Sequence, residues 1–264
     1  MELHVEVHGD GPPVLLVHGF PDSGRLWRHQ VAALVAAGRR AIVPDLRGMG
    51  ASAKPQDVES YRLTRVVGDL LAVLDAQRVE HVDVVAHDWG AAAGWLLAAL
   101  HPERVRSLAA LSVGHPEASR PATLEMRQKA WYQLYFLFGE AEELLLRDDA
   151  ALLREWLGPA VDRDRYLEDL RRPGALTAGL NYYRANVHPR RELRSGRRTL
   201  PPVAAPVLGL WSTGDIYLAE EAMKRSERHV TGRWRYERVD APTHWLQLDA
   251  PERVNELLLA HLSD

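Results

Sequence analysis

No cysteine occurs anywhere in the chain. That absence removes disulfides, thiolate zinc sites and a cysteine nucleophile together, and it fits a reducing cytoplasm. Nor is there an excess of one charge: acids and bases are mixed along the sequence and sum to −3. Neither a nucleic acid nor an anionic membrane is therefore expected as a partner. The densest basic stretch, Arg190 to Arg198, is broken by Glu192 and Gly196 and reads as a solvated loop. No uncharged apolar run reaches the roughly 18–20 residues needed to span a membrane. The opening MELHVEVHGDG lacks a basic segment followed by an apolar one, so no secretory signal is expected. Internal repeats and low-complexity tracts are missing too. What is left is a soluble, cytoplasmic chain of 264 residues, 46% hydrophobic and 26% charged. That length suits one large domain, or one domain carrying an insertion.

Short β-type runs alternate with helical ones. The strands are expected at Leu3–His8, Val14–Val17, Ala41–Val43, Val82–Ala86, Leu108–Val113, Val207–Trp211 and Trp234–Val239. Helices are expected at Arg28–Ala37, Thr64–Ala76, Ala91–Leu100 and Pro251–Leu262. The uncharged runs Val14–Val17 and Leu108–Val113 read as strands buried on both faces, which implies a central sheet covered by helices on each side. The alternation stops between about Glu117 and Leu200. Helical segments alone follow there: Leu124–Phe138, Glu140–Leu146, Ala150–Leu157, Arg163–Leu170 and Leu176–Asn186. The Pro-rich stretch RRTLPPVAAP, Arg197 to Pro206, leads back into a strand. The fold class is α/β, with a core of residues 1–116 and 201–264 and a helical cap inserted at 117–200. Such caps leave a pocket between themselves and the sheet, where small ligands bind.

One junction asks for explanation. In VDVVAHDWGAAAGWLLAAL, Val82 to Leu100, an ionisable Asp88 stands where an apolar run meets an apolar helix. A carboxylate there loses solvation and needs compensation. Asp88 is either a helix N-cap, the favoured reading of the stretch alone, or a reactive group. Ala86-His87-Asp88-Trp89-Gly90 has the small-x-nucleophile-x-small pattern of a strand-to-helix nucleophile elbow. The sharp turn would lift the side chain above the strand end and aim helix-start N–H groups at it, keeping it ionised. The stretch VLLVHGFP, Val14 to Pro21, adds a strand and tight loop suited to an oxyanion hole. The backbone N–H groups of Phe20 and Trp89 are the candidate donors. On its own, His-Gly-x-Pro is simply a turn.

A nucleophile that forms an ester needs a base to hydrolyse it, and the base needs an orienting acid. Asp215 follows the strand PVLGLW in the loop STGDIY, and His244 lies in DAPTHWLQLD between the last strand and the last helix. Of 12 histidines, His244 stands out by that loop and by the Trp245 that follows it. Asp240 is a rival acid but belongs more naturally to the strand end. After Leu108–Val113 comes Gly114-His115, with no carboxylate before Glu117.

The elbow, the His-Gly-Phe-Pro loop and the chain order Asp88, Asp215, His244 resemble the α/β-hydrolase superfamily. Within it they look like the epoxide hydrolases and haloalkane dehalogenases, whose nucleophile is Asp. The segment DLRGMGAS, Asp45 to Ser52, is similar to a Gly-rich loop of these enzymes and is not a P-loop, since the Lys is missing. The likeness implies an α/β-hydrolase fold, a mostly parallel sheet flanked by helices. Two departures stand out: Ala86 and Ala91 replace common elbow glycines, and an edge strand of larger relatives is expected to be missing.

The cap separates the two subfamilies. Epoxide hydrolases place two cap tyrosines over the nucleophile. AWYQLYF, Ala130 to Phe136, and GLNYYRAN, Gly179 to Asn186, resemble the segments that carry them. The resemblance assigns the epoxide-gripping hydroxyls to Tyr132 and Tyr183, with Tyr135 and Tyr182 as fallbacks, since a one-residue slip on a helix turns a side chain by about 100°. Each segment alone reads equally well as packing. A dehalogenase would need leaving-halide donors, for which Trp89 with Trp131 or Trp156 are candidates, and Phe20 offers none where some of those enzymes have Asn. The expected reaction is therefore epoxide to vicinal diol through an Asp88 ester, hydrolysed by His244-activated water. Phe20, Trp89, Tyr135, Tyr182 and Trp245 are expected to line the substrate pocket. No metal or organic cofactor is expected. A haloalkane dehalogenase is the alternative, and a non-catalytic ligand-binding relative a more distant one.

Overall fold

A computed structural model describes residues 1–187 and 200–263 of the chain. The basic stretch Arg190–Arg198 lies outside the described residues, as do the last part of the expected cap and the start of its Pro-rich exit.

The seven expected strands are all present, with ends shifted by at most a few residues. They are β1 (Val5–His8), β2 (Pro13–Val17), β3 (Arg40–Pro44), β4 (Val82–His87), β5 (Val105–Leu111), β6 (Val207–Ser212) and β7 (Trp234–Val239). They form one sheet in the order β1-β3-β2-β4-β5-β6-β7. Only β1 runs antiparallel to its neighbour; the other pairings are parallel. The pattern of burial follows from that order. Central β4 and β6 are buried at every position, whereas the edge strands β1 and β7 are largely half-exposed. The single charge inside β4, Asp83, accepts from Ser107 Oγ at 2.8 Å and pairs with Arg39 and Arg106 at 3.3 and 3.1 Å. It is a satisfied buried anion rather than an exception to the pattern.

Helices α1 (Arg28–Ala36), α2 (Leu63–Ala76) and α3 (Trp89–Leu100) lie between the first five strands. Residues Gly90 to Ala99 of α3 are all buried, which explains why that helix is apolar all round. Among the described residues between β5 and β6 come the helices α4 (Leu124–Lys129), α5 (Trp131–Tyr135), α6 (Ala141–Leu157), α7 (Arg163–Leu170) and α8 (Ala175–Asn186). The core closes with α9 (Glu220–Lys224), α10 (Leu246–Asp249) and α11 (Pro251–Ser263).

One expectation for the inserted helices needs correction. Leu124–Phe138 is not one helix: it breaks at Ala130, so that α5 can turn Tyr132 inward while Trp131 stays about half exposed. The expected break between Glu140–Leu146 and Ala150–Leu157 is present: within α6 four residues, Arg147 to Ala150, have non-helical backbone angles and separate two helical stretches.

The sheet order also fixes where a site can form. The chain steps from β2 outward to β3 and then returns to the other side of β2 as β4. In open α/β sheets the crevice at such a switch, beyond the carboxyl ends of the strands, is where ligands bind. The loops after β2, β4, β6 and β7 all emerge at that end.

Candidate active site

Asp88 sits at the turn between β4 and α3 with φ 53° and ψ −123°. A positive φ on a residue with a Cβ is strained, and such strain persists only where surrounding structure fixes it. Here Gly90 is the reason the turn can close. A Cβ at Gly90 would lie 2.2 Å from Val17 O and 2.4 Å from His18 O, so α3 starts directly against β2. Ala86 is accommodated opposite Gly94, where an added Cβ would stand 3.2 Å from that of Ala86. The Asp88 side chain makes no capping hydrogen bond to its helix, which removes the plain N-cap reading.

The carboxylate is held by two loops instead. Phe20 N donates to Asp88 Oδ1 at 2.8 Å. Gly19 lies so close that a Cβ there would be 2.3 Å from Oδ1 and 2.6 Å from Trp89 N. His18 pins this loop: its Nδ1–H donates to Gly19 O and its Nε2 accepts from Leu46 N, both at 2.9 Å. Burial lowers the His18 pKa, in keeping with a neutral structural ring.

His244 Nε2 lies 3.7 Å from Asp88 Oδ2, and His244 Nδ1 lies 2.7 Å from Asp215 Oδ2. The other Asp215 oxygen accepts from Tyr217 N at 2.8 Å and Leu218 N at 3.0 Å, which fixes the carboxylate plane. Asp240, the rival acid, instead accepts from Thr213 Oγ1 at 2.9 Å. The three residues named from chain order thus meet at one point. Burial disfavours a charged His244, but Asp215 and Asp88 outweigh it and push its pKa up to about 10. Burial would likewise raise the Asp88 carboxyl, yet His244, His87 and the Trp89 N–H hold it below the ordinary carboxylate value. Both shifts favour a carboxylate beside an imidazolium. His87 is different: burial, with the nearby His244 charge, lowers its pKa to about 3, and its Nε2–H donates to His244 O at 3.1 Å.

Asp88, Trp89, Tyr132 and Tyr183 all line a cavity of about 500 Å³ between the sheet and the inserted helices, with Gln133 and Leu218 also on its wall. Tyr132 and Tyr183 are almost fully buried, with ring centroids 5.9 Å apart. Burial and the nearby Asp88 charge raise both phenols well above their usual range, so both keep their protons.

Four of the pocket residues expected from sequence do not line this cavity. Tyr135 packs on Trp131 and Phe138 toward the outside. Tyr182 turns away, donating to Arg47 O at 2.9 Å, as the 100° step from Tyr183 requires. Trp245 is buried against Tyr166 and donates to Asp22 Oδ2 at 2.9 Å. The Phe20 ring packs among Phe136, Trp156 and Tyr183, leaving only its backbone to face Asp88. Trp131, one halide-donor candidate, is about half exposed; Trp156 is buried within the aromatic group around Phe20.

Sequence reading missed Tyr217 and Lys129. The Tyr217 ring stands between Tyr132 and His244, at 5.5 and 5.4 Å, and its hydroxyl donates to Trp156 O. Lys129 reaches from α4 to Asp215 O at 2.6 Å and Leu218 O at 3.2 Å. Tyr217, two residues beyond the acid, carried a weak signal; Lys129 carried none. Among the described residues no group of three or more His, Asp or Glu could hold a metal ion, and no helix is long and apolar enough to cross a membrane.

This geometry, a strained Asp at a strand–helix turn answered by an Asp–His pair from later loops, defines a hydrolase site of the nucleophile-elbow kind. A family model for the alpha/beta hydrolase fold matches residues 12–251, and the chain belongs to that family. Its relatives include the AB hydrolase superfamily protein YfhM of Bacillus subtilis, 36% identical over 99% of this chain and 94% of the relative. Epoxide hydrolase A of Mycobacterium tuberculosis is 32% identical over 96% of this chain and 90% of its own length. Among solved structures, an epoxide hydrolase of Bacillus megaterium in complex with an inhibitor superposes with a TM-score of 0.89 at 27% identity, covering 99% and 97% of the two chains.

Proposed function

We infer that the protein is an epoxide hydrolase, converting a small-molecule epoxide and water to a vicinal diol, in a reducing cytoplasm as its lack of cysteine suggests. The observation that carries the reading is the placement of two protonated tyrosines, Tyr132 and Tyr183, on the wall of the cavity that also holds the Asp88 carboxylate. Residues 117–200 act as the cap that supplies them. An epoxide needs this pairing. Its strained ring yields to a carboxylate, but the departing oxygen becomes an alkoxide that must be hydrogen-bonded and protonated.

The division of labour follows from the carboxylate geometry. Oδ1 is occupied by the Phe20 N–H, so Oδ2 is the attacking oxygen. It bonds to an epoxide carbon, the C–O bond breaks, and the electron pair moves to the epoxide oxygen, which takes a proton from Tyr132 while Tyr183 donates a hydrogen bond. The phenolate regains its proton through solvent from the His244 imidazolium. While Asp88 is charged, His244 is held protonated and cannot act as a base. Ester formation removes that charge, lowers the His244 pKa and frees it to deprotonate a water. The water attacks the ester carbonyl; its Oδ1 already accepts from the Phe20 N–H, and the Trp89 N–H is the second donor for the negative charge that develops there. Collapse expels the diol oxygen with a proton and restores the carboxylate. Asp215 orients the imidazole throughout.

The test is the intact mass of His244→Gln after exposure to mixed small epoxides and haloalkanes. The expected result is an adduct carrying the whole mass of an epoxide, absent when Asp88→Ala is added. An adduct equal to a haloalkane less its hydrogen halide would move the assignment to a dehalogenase. No adduct with either would favour a binding protein.

A further inference from the structure

Two phenols face the nucleophile, but they are not equivalently surrounded. The Tyr132 ring is fixed by Phe136, Trp156, Tyr183 and Tyr217, with centroids 5.5 to 5.9 Å away. Packing therefore leaves one freedom that matters, the rotation of the hydroxyl proton about the C–O bond. A phenol oxygen has one proton to give and lone pairs to receive with. Whatever donates to the oxygen decides where the proton goes. The next residue, Gln133, is half-buried on the cavity wall, and its Nε2 lies 3.4 Å from Tyr132 Oη. The contact is long for a hydrogen bond, as contacts of this kind are before substrate tightens them. It is the one hydrogen bond to Tyr132 Oη among the described residues.

We propose that Gln133 is a positioning residue for ring opening: its amide N–H donates to Tyr132 Oη, turns the phenol proton into the cavity and supports the phenolate left when that proton moves to the epoxide oxygen. The proposal rests on the reading of Tyr132 as the proton donor. The chemistry favours such a helper. Burial makes Tyr132 a weaker acid than a phenol in water, with the nearby Asp88 charge acting the same way, and the Gln133 amide is the group that opposes them. A donor to the phenol oxygen strengthens as charge appears there, so it acts more on the transition state than on the bound substrate. Tyr183 has no side-chain neighbour in the same relation along its own helix, since the residues flanking it are Tyr182 and Arg184, and Arg184 is engaged by Glu142.

The amide could be turned the other way, with Oε1 accepting the phenol proton, because the two ends of a glutamine are told apart by their hydrogen bonds. The test separates the two orientations. In a His244→Gln background, where the ester accumulates, its rate of formation from styrene oxide is measured in a single turnover across pH 4.5 to 8. Gln133→Glu replaces the donor by a carboxylate that, once ionised, can only accept. It would draw the Tyr132 proton away from the cavity. Ester formation should then slow about tenfold as pH rises through the ionisation of the introduced carboxyl, and recover at acid pH. The Asp88 limb, present in both proteins, runs in the opposite direction, because Asp88 must be ionised to attack. Gln133→Leu, which keeps the bulk and loses the donor, should be slowed about tenfold at every pH, with little change in the substrate concentration giving half-maximal rate.

A Gln133→Glu protein with the parent's rate and pH profile, or a Gln133→Leu protein that is faster than the parent, overturns the assignment and points to the reversed amide. A parent that forms no ester with styrene oxide or other epoxides overturns the functional reading, and the role of Gln133 with it.

Discussion

Asp88 and the cap tyrosines face one cavity but are held by different means. Asp88 is set by main chain. Its conformation comes from the β4–α3 turn, its carboxylate from the Phe20 N–H, and the space for both from glycines at 19 and 90. Tyr132 and Tyr183 are set by side chains, through an aromatic group that includes Phe20, Phe136, Trp156 and Tyr217. Main-chain placement tolerates almost no change in shape at its glycines. Aromatic packing tolerates exchange of one ring for another of similar volume. The consequence is a carboxylate of fixed position beneath two phenols whose position repacking can shift.

The largest expected effect comes from the fixed side. Asp88→Ala should abolish turnover, and near wild-type diol formation by that variant would end the nucleophile assignment. Gly19→Ala probes the same region without touching a reactive side chain. Its Cβ would meet Asp88 Oδ1 at 2.3 Å, so the carboxylate and the Phe20 N–H must part. Loss of an oxyanion donor typically costs about 10²–10³ in rate, and a loss of that size is expected. Unchanged activity in Gly19→Ala would show that the loop yields, and that the contrast drawn above is too sharp.

On the tunable side the effects are smaller and fall on one step. Tyr132→Phe and Tyr183→Phe keep the ring packing and remove only a hydroxyl. Each should slow ring opening by about 10²-fold, the lower end of the usual range for general acid help, because the other phenol remains. Hydrolysis of the preformed ester should be nearly unaffected. Rapid-quench measurement of ester formation and decay separates the steps, and equal damage to both would contradict the division of roles.

The same contrast explains what could be read from the sequence. β-branched runs and small residues report main-chain geometry, so all seven strands, the elbow and the Asp88–Asp215–His244 convergence were legible. Side-chain direction on the inserted helices was not. Leu124–Phe138 keeps a helical pattern across Ala130, and the break there comes with the packing of Tyr132 among Phe136, Trp156, Tyr183 and Tyr217, which no local pattern shows. Tyr182 and Tyr183 are adjacent and chemically alike, so the step that sends one to Arg47 O and the other to the cavity needs the helix placed first. Trp245 was expected in the pocket because it follows His244. Its indole is spent instead on Asp22, a buried charge just after the His-Gly-Phe-Pro motif whose importance no local pattern announced.

Asp22 is where the two regions join, and it gives the smallest but most specific prediction. Its side chain is fully buried, receives Trp245 Nε1 from the loop of the base, and pairs with Arg165 of α7 at 3.1 Å. Arg165 also reaches Asp162, which Arg28 of α1 grips from the core at 2.9 Å. Burial pushes the Asp22 carboxyl up to about 7 despite Arg165. A carboxyl whose folded pKa lies above its unfolded value of about 4 binds its proton more tightly when folded. Its contribution to stability is then complete below about pH 4 and is lost as pH rises through about 7. Asp22→Asn keeps an acceptor for Trp245 and removes that titration, while Arg165 retains Asp162 and Asp169. Relative to the variant, the wild type should therefore lose unfolding free energy steadily between about pH 4.5 and pH 8. Urea unfolding at three pH values in that window measures the difference directly. A gap that stays constant across them would mean that Arg165 fully compensates the burial of Asp22, and that the joint between cap and core is held as rigidly as the elbow itself.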